Sequence, residues 1–291
     1  MTIAEALAFG LARLSNLEDP RLETEILLAH ALQQPATTLI SRSEQVIAPA
    51  SLASFKYFIE RRLTHEPTAY IVGYQPFLGL DFKVDKRVLI PRPETELLVE
   101  IAIRGLDGKN VEHREQNVER RIVDVGTGSG CIAITLAKNI PGTKITAIER
   151  SPSALRLAKE NATNLGMIEQ VTFLEGDLLS PLKEKVDLIV SNPPYIPTAD
   201  LAGLDPDVKD WEPIGALDGG NDGLDYIRRL IKEAPDHLNS GGMLLFEFGF
   251  GQSEAIKVIF TADNRYSQFE LFNDYAGIPR IAKAGIYQPT R

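Results

Sequence analysis

Ser191-Asn192-Pro193-Pro194-Tyr195 is the stretch whose residue types most narrowly restrict the chemistry of this chain. Two successive prolines fix φ and remove two N–H donors, leaving carbonyl acceptors in set directions. The nitrogen of an amide or aromatic amino group is a poor nucleophile while its lone pair is delocalised. It needs acceptors on both N–H groups that favour a pyramidal geometry. Asn192 Oδ1 and the Pro193 carbonyl are such acceptors. Tyr195 offers a ring to lie on a planar group and a π face that favours a nearby cation. Transfer to such a nitrogen requires reacting atoms in line and about 3–3.5 Å apart, which is a positioning task rather than one for a strong base. A rigid connector can carry the same residues, but its place after a strand favours a site.

A second constellation precedes it. The strand Arg121–Val125 runs into Gly126-Thr127-Gly128-Ser129-Gly130, where glycines let the backbone turn sharply and approach a ligand. Such a loop also serves as a tight packing turn, and Gly128-x-Gly130-x-x-Ala133 satisfies the dinucleotide fingerprint. Glu149 follows nineteen residues after Gly130 at the end of the next strand. A carboxylate there can accept from both ribose hydroxyls of an adenosine. These two features favour an adenosyl cofactor without separating NAD from S-adenosylmethionine. Asp177 and Leu178 follow the third strand, where the pair could hold an adenine ring or Asp177 could cap a helix. Glu247, ending a later strand, reads either as a site carboxylate or as a solvated end.

These residues need a scaffold. From Arg121 onward, strand, turn and helix repeat: RIVDV, KITAIE, VTFLEG, VDLIVSN, MLLFEFG and FELF are the strands, which implies a largely parallel sheet covered on both faces. In such sheets ligands bind beyond the carboxyl ends of the strands. The first part of the chain shows helical periodicity instead. Ile3, Leu7, Leu11 and Leu14 form one stripe, and Asp19-Pro20 opens a second helix bearing Leu22, Ile26 and Ala29. Between the two, residues 76–90 read as a β-hairpin through Phe77, Leu80, Phe82, Val84 and Val88. A short helix, Glu94 to Arg104, and a polar linker, Asp107 to Arg120, complete the connection. The expected organisation is therefore a helical domain over 1–75, a hairpin and linker over 76–120, and an α/β domain over 121–291.

Composition narrows the partners. The 291 residues are 44% hydrophobic and 24% charged, as in a globular protein. Apolar runs fall short of a membrane span. MTIAEALAFGLARL lacks the basic start and cleavage site of a secretory signal. One cysteine, Cys131, excludes an internal disulfide and points to the cytoplasm. That cysteine with four histidines makes no zinc cluster, so no metal is expected. A net charge of −9 opposes binding to nucleic acid. A local basic run, Lys83, Lys86, Arg87 and Arg92, could meet an acidic partner or be a solvated hairpin face.

Taken together the residues resemble the release-factor glutamine methyltransferases of the HemK/PrmC family, over nearly the whole chain. Besides Asn-Pro-Pro-Tyr, the resemblance rests on Gly73, Phe77-Leu78-Gly79, Phe82 and Val84. It extends to Ile90-Pro91-Arg92-Pro93-Glu94-Thr95-Glu96, Glu212-Pro213, Ala216 to Gly220 and Asp222-Gly223-Leu224. It implies a Rossmann-like class I methyltransferase sheet with a small N-terminal helical domain and a linking β-hairpin. The implied cofactor is S-adenosylmethionine, held by Gly126, Thr127, Gly128, Ser129, Gly130, Glu149, Asp177, Leu178 and Asn192. The implied substrate is the Gly-Gly-Gln glutamine of class-1 peptide chain release factors. Asn192, Pro193, Pro194 and Tyr195 would bind it, Arg92 and Glu94 would face it, and the front domain would help recognise the factor. The enzyme is expected to be a cytoplasmic monomer. Three positions depart from the family pattern: Glu149 where aspartate is commoner, Leu178 where some members carry tryptophan, and Gln75-Pro76 where an acidic residue is usual. Rival readings are an N-methyltransferase of nucleic-acid amino groups, an NAD-dependent reductase and a non-catalytic binding module.

Overall fold

The computed structural model describes residues 1–107 and 120–286. The stretch read as a linker therefore lies outside the described residues except at its ends. Two compact units emerge, Met1–Tyr74 with Asp205–Trp211, and Gln75–Leu204 with Glu212–Arg291.

The first unit is helical. Helix α1 (Ile3–Arg13) opens on a capping box, in which Thr2 accepts from the Glu5 amide and Glu5 accepts from the Thr2 amide. Its buried face is Ile3, Ala6, Gly10 and Leu14; of the expected stripe Ile3 and Leu14 are buried and Leu7 partly so, while Leu11 is 41% exposed and Gly10 takes its place. Close packing is the reason: a Cβ on Gly10 would lie 2.4 Å from Thr24 Cγ2 and 3.0 Å from Phe55 Cζ. Helix α2 (Pro20–Leu32) starts where Asp19 accepts from the Leu22 amide at 3.0 Å. It buries Thr24, Leu27, Leu28, Ala29 and Ala31 and leaves the expected Leu22 exposed. Helices α3 (Thr37–Ser41), α4 (Pro49–Leu63) and α5 (Thr68–Val72) complete the consecutive part. Arg62 of α4, itself buried, donates to Asp207 at 2.6 Å, so the later segment 205–211 belongs to this unit, which the sequence boundaries did not foresee.

Strands β1 (Tyr74–Phe77) and β2 (Leu80–Lys83) form a hairpin, with Leu78 and Gly79 at φ 45 and 75 in its turn. It is shorter than expected. Beyond Lys83 the Asp85 carboxylate accepts from the Arg87 amide at 3.0 Å, which bends the chain, while Val84 and Val88 are buried outside any strand. Three of the four residues of the basic run are paired: Lys83 with Glu160, Arg87 with Asp85 and Glu160, and Arg92 with Glu212.

The rest of this unit alternates as expected: α6 (Pro93–Asp107), β3 (Arg120–Val125), α7 (Cys131–Asn139), β4 (Thr143–Glu149), α8 (Pro152–Asn164), β5 (Val171–Glu175) and β6 (Val186–Ser191). After α9 (Pro206–Lys209), the four-residue helix inside the returned segment, come α10 (Asp225–His237), β7 (Leu238–Glu247), α11 (Ser253–Thr261), β8 (Tyr266–Asn273) and β9 (Pro279–Ile286). The sheet order is β5-β4-β3-β6-β7-β9-β8, parallel through β7, with β9 antiparallel to both its neighbours. Strand β9 was not foreseen, because Ala282, Ala284 and Gly285 give its alternation little hydrophobic contrast. Residues along each strand divide between two cores: Ile122, Leu188 and Leu245 pack with α6 and α7, and Val123, Ile189 and Leu244 with α10 and α11. The sheet order reverses between β3 and β6, which opens a crevice at their carboxyl ends.

Candidate functional site

That crevice is a cavity of about 320 Å³. Ser191 at the end of β6 donates to the Val125 carbonyl at 2.7 Å and fixes the two strand ends side by side. From β3 come Gly126, Thr127, Gly128 and Ser129; from β4, Glu149; after β5, Asp177 and Leu178; after β6, Asn192, Pro193 and Pro194; and from the segment before α6, Arg92.

The loop after β3 is built to face a ligand. Gly126 and Gly128 have φ of 74 and 56, and added Cβ atoms would meet nothing closer than 4.0 Å, so side chains there would intrude on open space. Gly130 does a different job. Its Cβ would lie 2.8 Å from Ile134 Cδ1 and 3.3 Å from Ala158 Cβ, so it permits close helix packing and does not line the cavity. Glu149 accepts from the Gly128 amide at 2.9 Å through one oxygen and from the Ser151 amide at 2.8 Å through the other. Its carboxylate is thereby oriented, with lone pairs left for two hydroxyl donors. This arrangement fits an adenosyl ribose. Asp177 accepts from Arg229 of α10 at 2.7 Å, and Leu178, at φ 47, packs into the core beneath the cavity. Arg150 lies over the Tyr226 ring at 5.7 Å, a wall of the cavity that no sequence motif disclosed.

Asp124, beneath the loop, accepts from the Thr127 hydroxyl at 2.6 Å and the Ala133 amide at 3.1 Å, while its Oδ1 has no partner. Burial, opposed by these bonds, raises its pKa from 3.8 to about 7. The folded chain then holds a proton that the unfolded chain releases, so this group's contribution to stability is lost as pH rises toward 7. Asp124→Asn cannot ionise. In melting curves without ligand, its Tm relative to the parent should therefore improve between about pH 4 and pH 8; a constant difference would contradict the shift. Burial also pushes the Cys131 thiol up to about 12, which makes it a poor nucleophile at neutral pH.

The other half of the site is a hydrogen-bonded chain. Asn192 Nδ2 donates to Thr95 Oγ1 at 2.9 Å, Thr95 donates to Glu247 Oε2 at 2.7 Å, and the Tyr195 hydroxyl donates to Glu247 Oε1 at 3.0 Å. Glu247 is 1% exposed and is thus not a solvated strand end. Desolvation raises its pKa, and the Thr95 and Tyr195 bonds oppose that shift. Tyr195, expected over the ligand, does not line the cavity, because its hydroxyl is drawn to Glu247 and its ring is partly buried against the second core. Glu94 does not line it either, although its charge acts on Glu247. Arg92 does, and its guanidinium is bonded to the buried Glu212, which also accepts from the Ile90 amide at 3.1 Å. Thr95 and Glu212 lie in segments that the resemblance singled out, but no local signal marked their partners.

Residues 110–202 match the Methyltransferase small domain family, and residues 5–73 the PrmC N-terminal domain. Among solved structures, the human Mettl16 catalytic domain in complex with MAT2A 3′UTR hairpin 6 is similar at a TM-score of 0.56 and 17% identity, over 73% of this chain and 78% of that one. A methyltransferase from Pyrococcus furiosus is similar at a TM-score of 0.50 and 18% identity, over 78% and 96%. Sheet order, switch-point cavity and glycine loop thus define a class I, Rossmann-like methyltransferase. A release factor glutamine methyltransferase of Moorella thermoacetica is 44% identical over 96% of this chain and 97% of its own length. Relatives of the same description from Geobacter sulfurreducens and Bacillus anthracis are 45% and 37% identical over 91% and 98% of this chain. The chain belongs to the release factor glutamine methyltransferase family.

Proposed function

We propose that this protein methylates the side-chain amide nitrogen of the glutamine in the Gly-Gly-Gln motif of class-1 peptide chain release factors. The observation that carries this reading is Asn192 at the cavity wall, its Nδ2 committed to Thr95 and its Oδ1 left to accept. S-adenosylmethionine, when bound, supplies a methyl group on a positively charged sulfur. Gly126 to Ser129 and Glu149 would hold its ribose and amino-acid portion, and Asp177 and Leu178 would border its adenine. Asn192 Oδ1 and the Pro193 carbonyl would accept the two N–H groups of the glutamine and favour a pyramidal nitrogen. Pro194 stiffens that loop, Arg92 borders the substrate side, Glu94 acts by its charge on Glu247, and Tyr195 acts through its bond to Glu247. The names carried by the relatives support the substrate, and the net charge of −9 disfavours a nucleic acid.

The test is transfer of labelled methyl from S-adenosylmethionine to a purified class-1 release factor, with a Gln→Ala version of its Gly-Gly-Gln loop as control. Label that requires the glutamine supports the reading. Label on DNA or RNA and none on protein would move the substrate to a nucleic-acid amino group.

The helical unit is proposed to help recognise the factor. It exposes Ile40 at 73% and Val46 at 70%. Ile40→Asp with Val46→Asp should raise KM for the release factor about fivefold or more, the effect of losing small apolar contacts. KM for the methyl donor should stay constant. Equal factor KM values would remove these residues from the docking face.

A further inference from the structure

We propose that Thr95 is a positioning residue that fixes which end of the Asn192 amide meets the substrate, through a hydrogen-bond chain anchored on Glu247. The inference rests on the methylation reading above and deepens it.

An asparagine amide is nearly symmetric in shape but opposite in chemistry at its two ends, one accepting and the other donating. Rotation by half a turn would present NH2 to the substrate amide, so donor would face donor. Nothing within Asn192 prevents this. The chain behind it does. A carboxylate accepts only, and Glu247 takes the Tyr195 hydroxyl on one oxygen and the Thr95 hydroxyl on the other, at 3.0 and 2.7 Å. Thr95 has one proton, and it is committed to Glu247. Toward Asn192 the threonine oxygen can therefore only accept, and it does so from Nδ2 at 2.9 Å. Oδ1 is turned the other way. The direction of every bond follows from the two hydroxyls that donate to the buried end.

Thr95 is suited to this task by its surroundings. It lies in the first turn of α6 at 2% exposure, and it also lines the cavity. Burial keeps water from competing for its two bonds, and low polarity strengthens them. Burial opposes the charged form of Glu247 most strongly and Glu94 from α6 adds to that, while the Thr95 and Tyr195 hydroxyls and Arg280 from β9 favour it.

Thr95→Val keeps the shape of the side chain and removes both bonds, whereas Thr95→Ser keeps the hydroxyl. With saturating S-adenosylmethionine and release factor, Thr95→Val should lose about 10- to 100-fold in kcat, the scale of a misdirected polar group at a reacting centre. Its dissociation constant for S-adenosylmethionine should stay near the parent's, its Tm should fall because buried Glu247 loses a donor, and Thr95→Ser should recover most of the rate and of the Tm. Glu247→Met removes both acceptors at the other end of the chain and should give the same kcat-selective loss, which keeps the test valid if the valine variant fails to fold. Parental kcat in Thr95→Val would overturn the proposal. So would rate losses in both the Thr95→Val and Glu247→Met variants that merely track weaker donor binding. An active parent with an unimpaired Thr95→Val refutes the relay alone; a parent that never labels the glutamine refutes the function, and the relay falls with it.

Discussion

Asn192→Ala is expected to lower kcat for release-factor methylation by about 10²- to 10³-fold, the cost of removing one fixed polar partner of a reacting group. The substitution deletes the acceptor for one glutamine N–H and leaves Thr95 Oγ1 without its donor. Both effects act on orientation at the reacting nitrogen, so the loss should fall on kcat more than on KM for the methyl donor. Folding should be largely preserved, because Asn192 is only partly buried and the end of β6 is held independently by the Ser191 bond to Val125. Asn192→Asp is the sharper comparison. It keeps an acceptor but cannot donate to Thr95, so it should remain well below the parent. Single-turnover rates with labelled S-adenosylmethionine would measure both variants. An alanine variant within threefold of the parent would exclude Asn192 as the orienting group.

Glu149→Ala should weaken S-adenosylmethionine binding by about 10²- to 10³-fold. Two ribose hydroxyls would lose a charged acceptor, at about 1.5–3 kcal/mol for a hydrogen bond to a charged group and with incomplete additivity. The same carboxylate also holds the amides of Gly128 and Ser151, so its removal frees the loop that borders the ligand. Calorimetric titration reads the dissociation constant directly. If the residue acts on binding alone, kcat should return toward the parent value once the donor saturates. Glu149→Asp is expected to lie within about tenfold of the parent, because it keeps the charge but shortens its reach by one methylene. An unchanged dissociation constant in the alanine variant would place the ribose elsewhere.

The sequence by itself determined the succession of strands β3 to β8, the glycine loop after β3, the carboxylate ending β4 and the Asn-Pro-Pro-Tyr turn after β6. These are local properties. Period-2 runs, turn glycines and prolines act within a few residues of themselves, and the parallel-sheet rule brings strand ends to one edge. Where helices meet helices, the local pattern was incomplete: Ile3, Leu7 and Leu14 pack as read, but Leu11 is exposed, because Ala6 and Gly10 let the helix approach its neighbours. Strand β9 escaped because alanine and glycine carry little hydrophobic contrast, although its pairing with β7 and β8 buries Ile281, Ala282 and Ala284.

Only the tertiary structure decided who faces whom at the site. Thr95 and Asn192 are 97 residues apart and Thr95 and Glu247 are 152 apart, yet they form one continuous chain of hydrogen bonds. Arg92 meets Glu212 across 120 residues. Tyr195 was aimed at the ligand by its motif and at Glu247 by its packing. A buried carboxylate must find donors wherever the fold brings them, because leaving it without partners costs more than any local preference of the chain can offset.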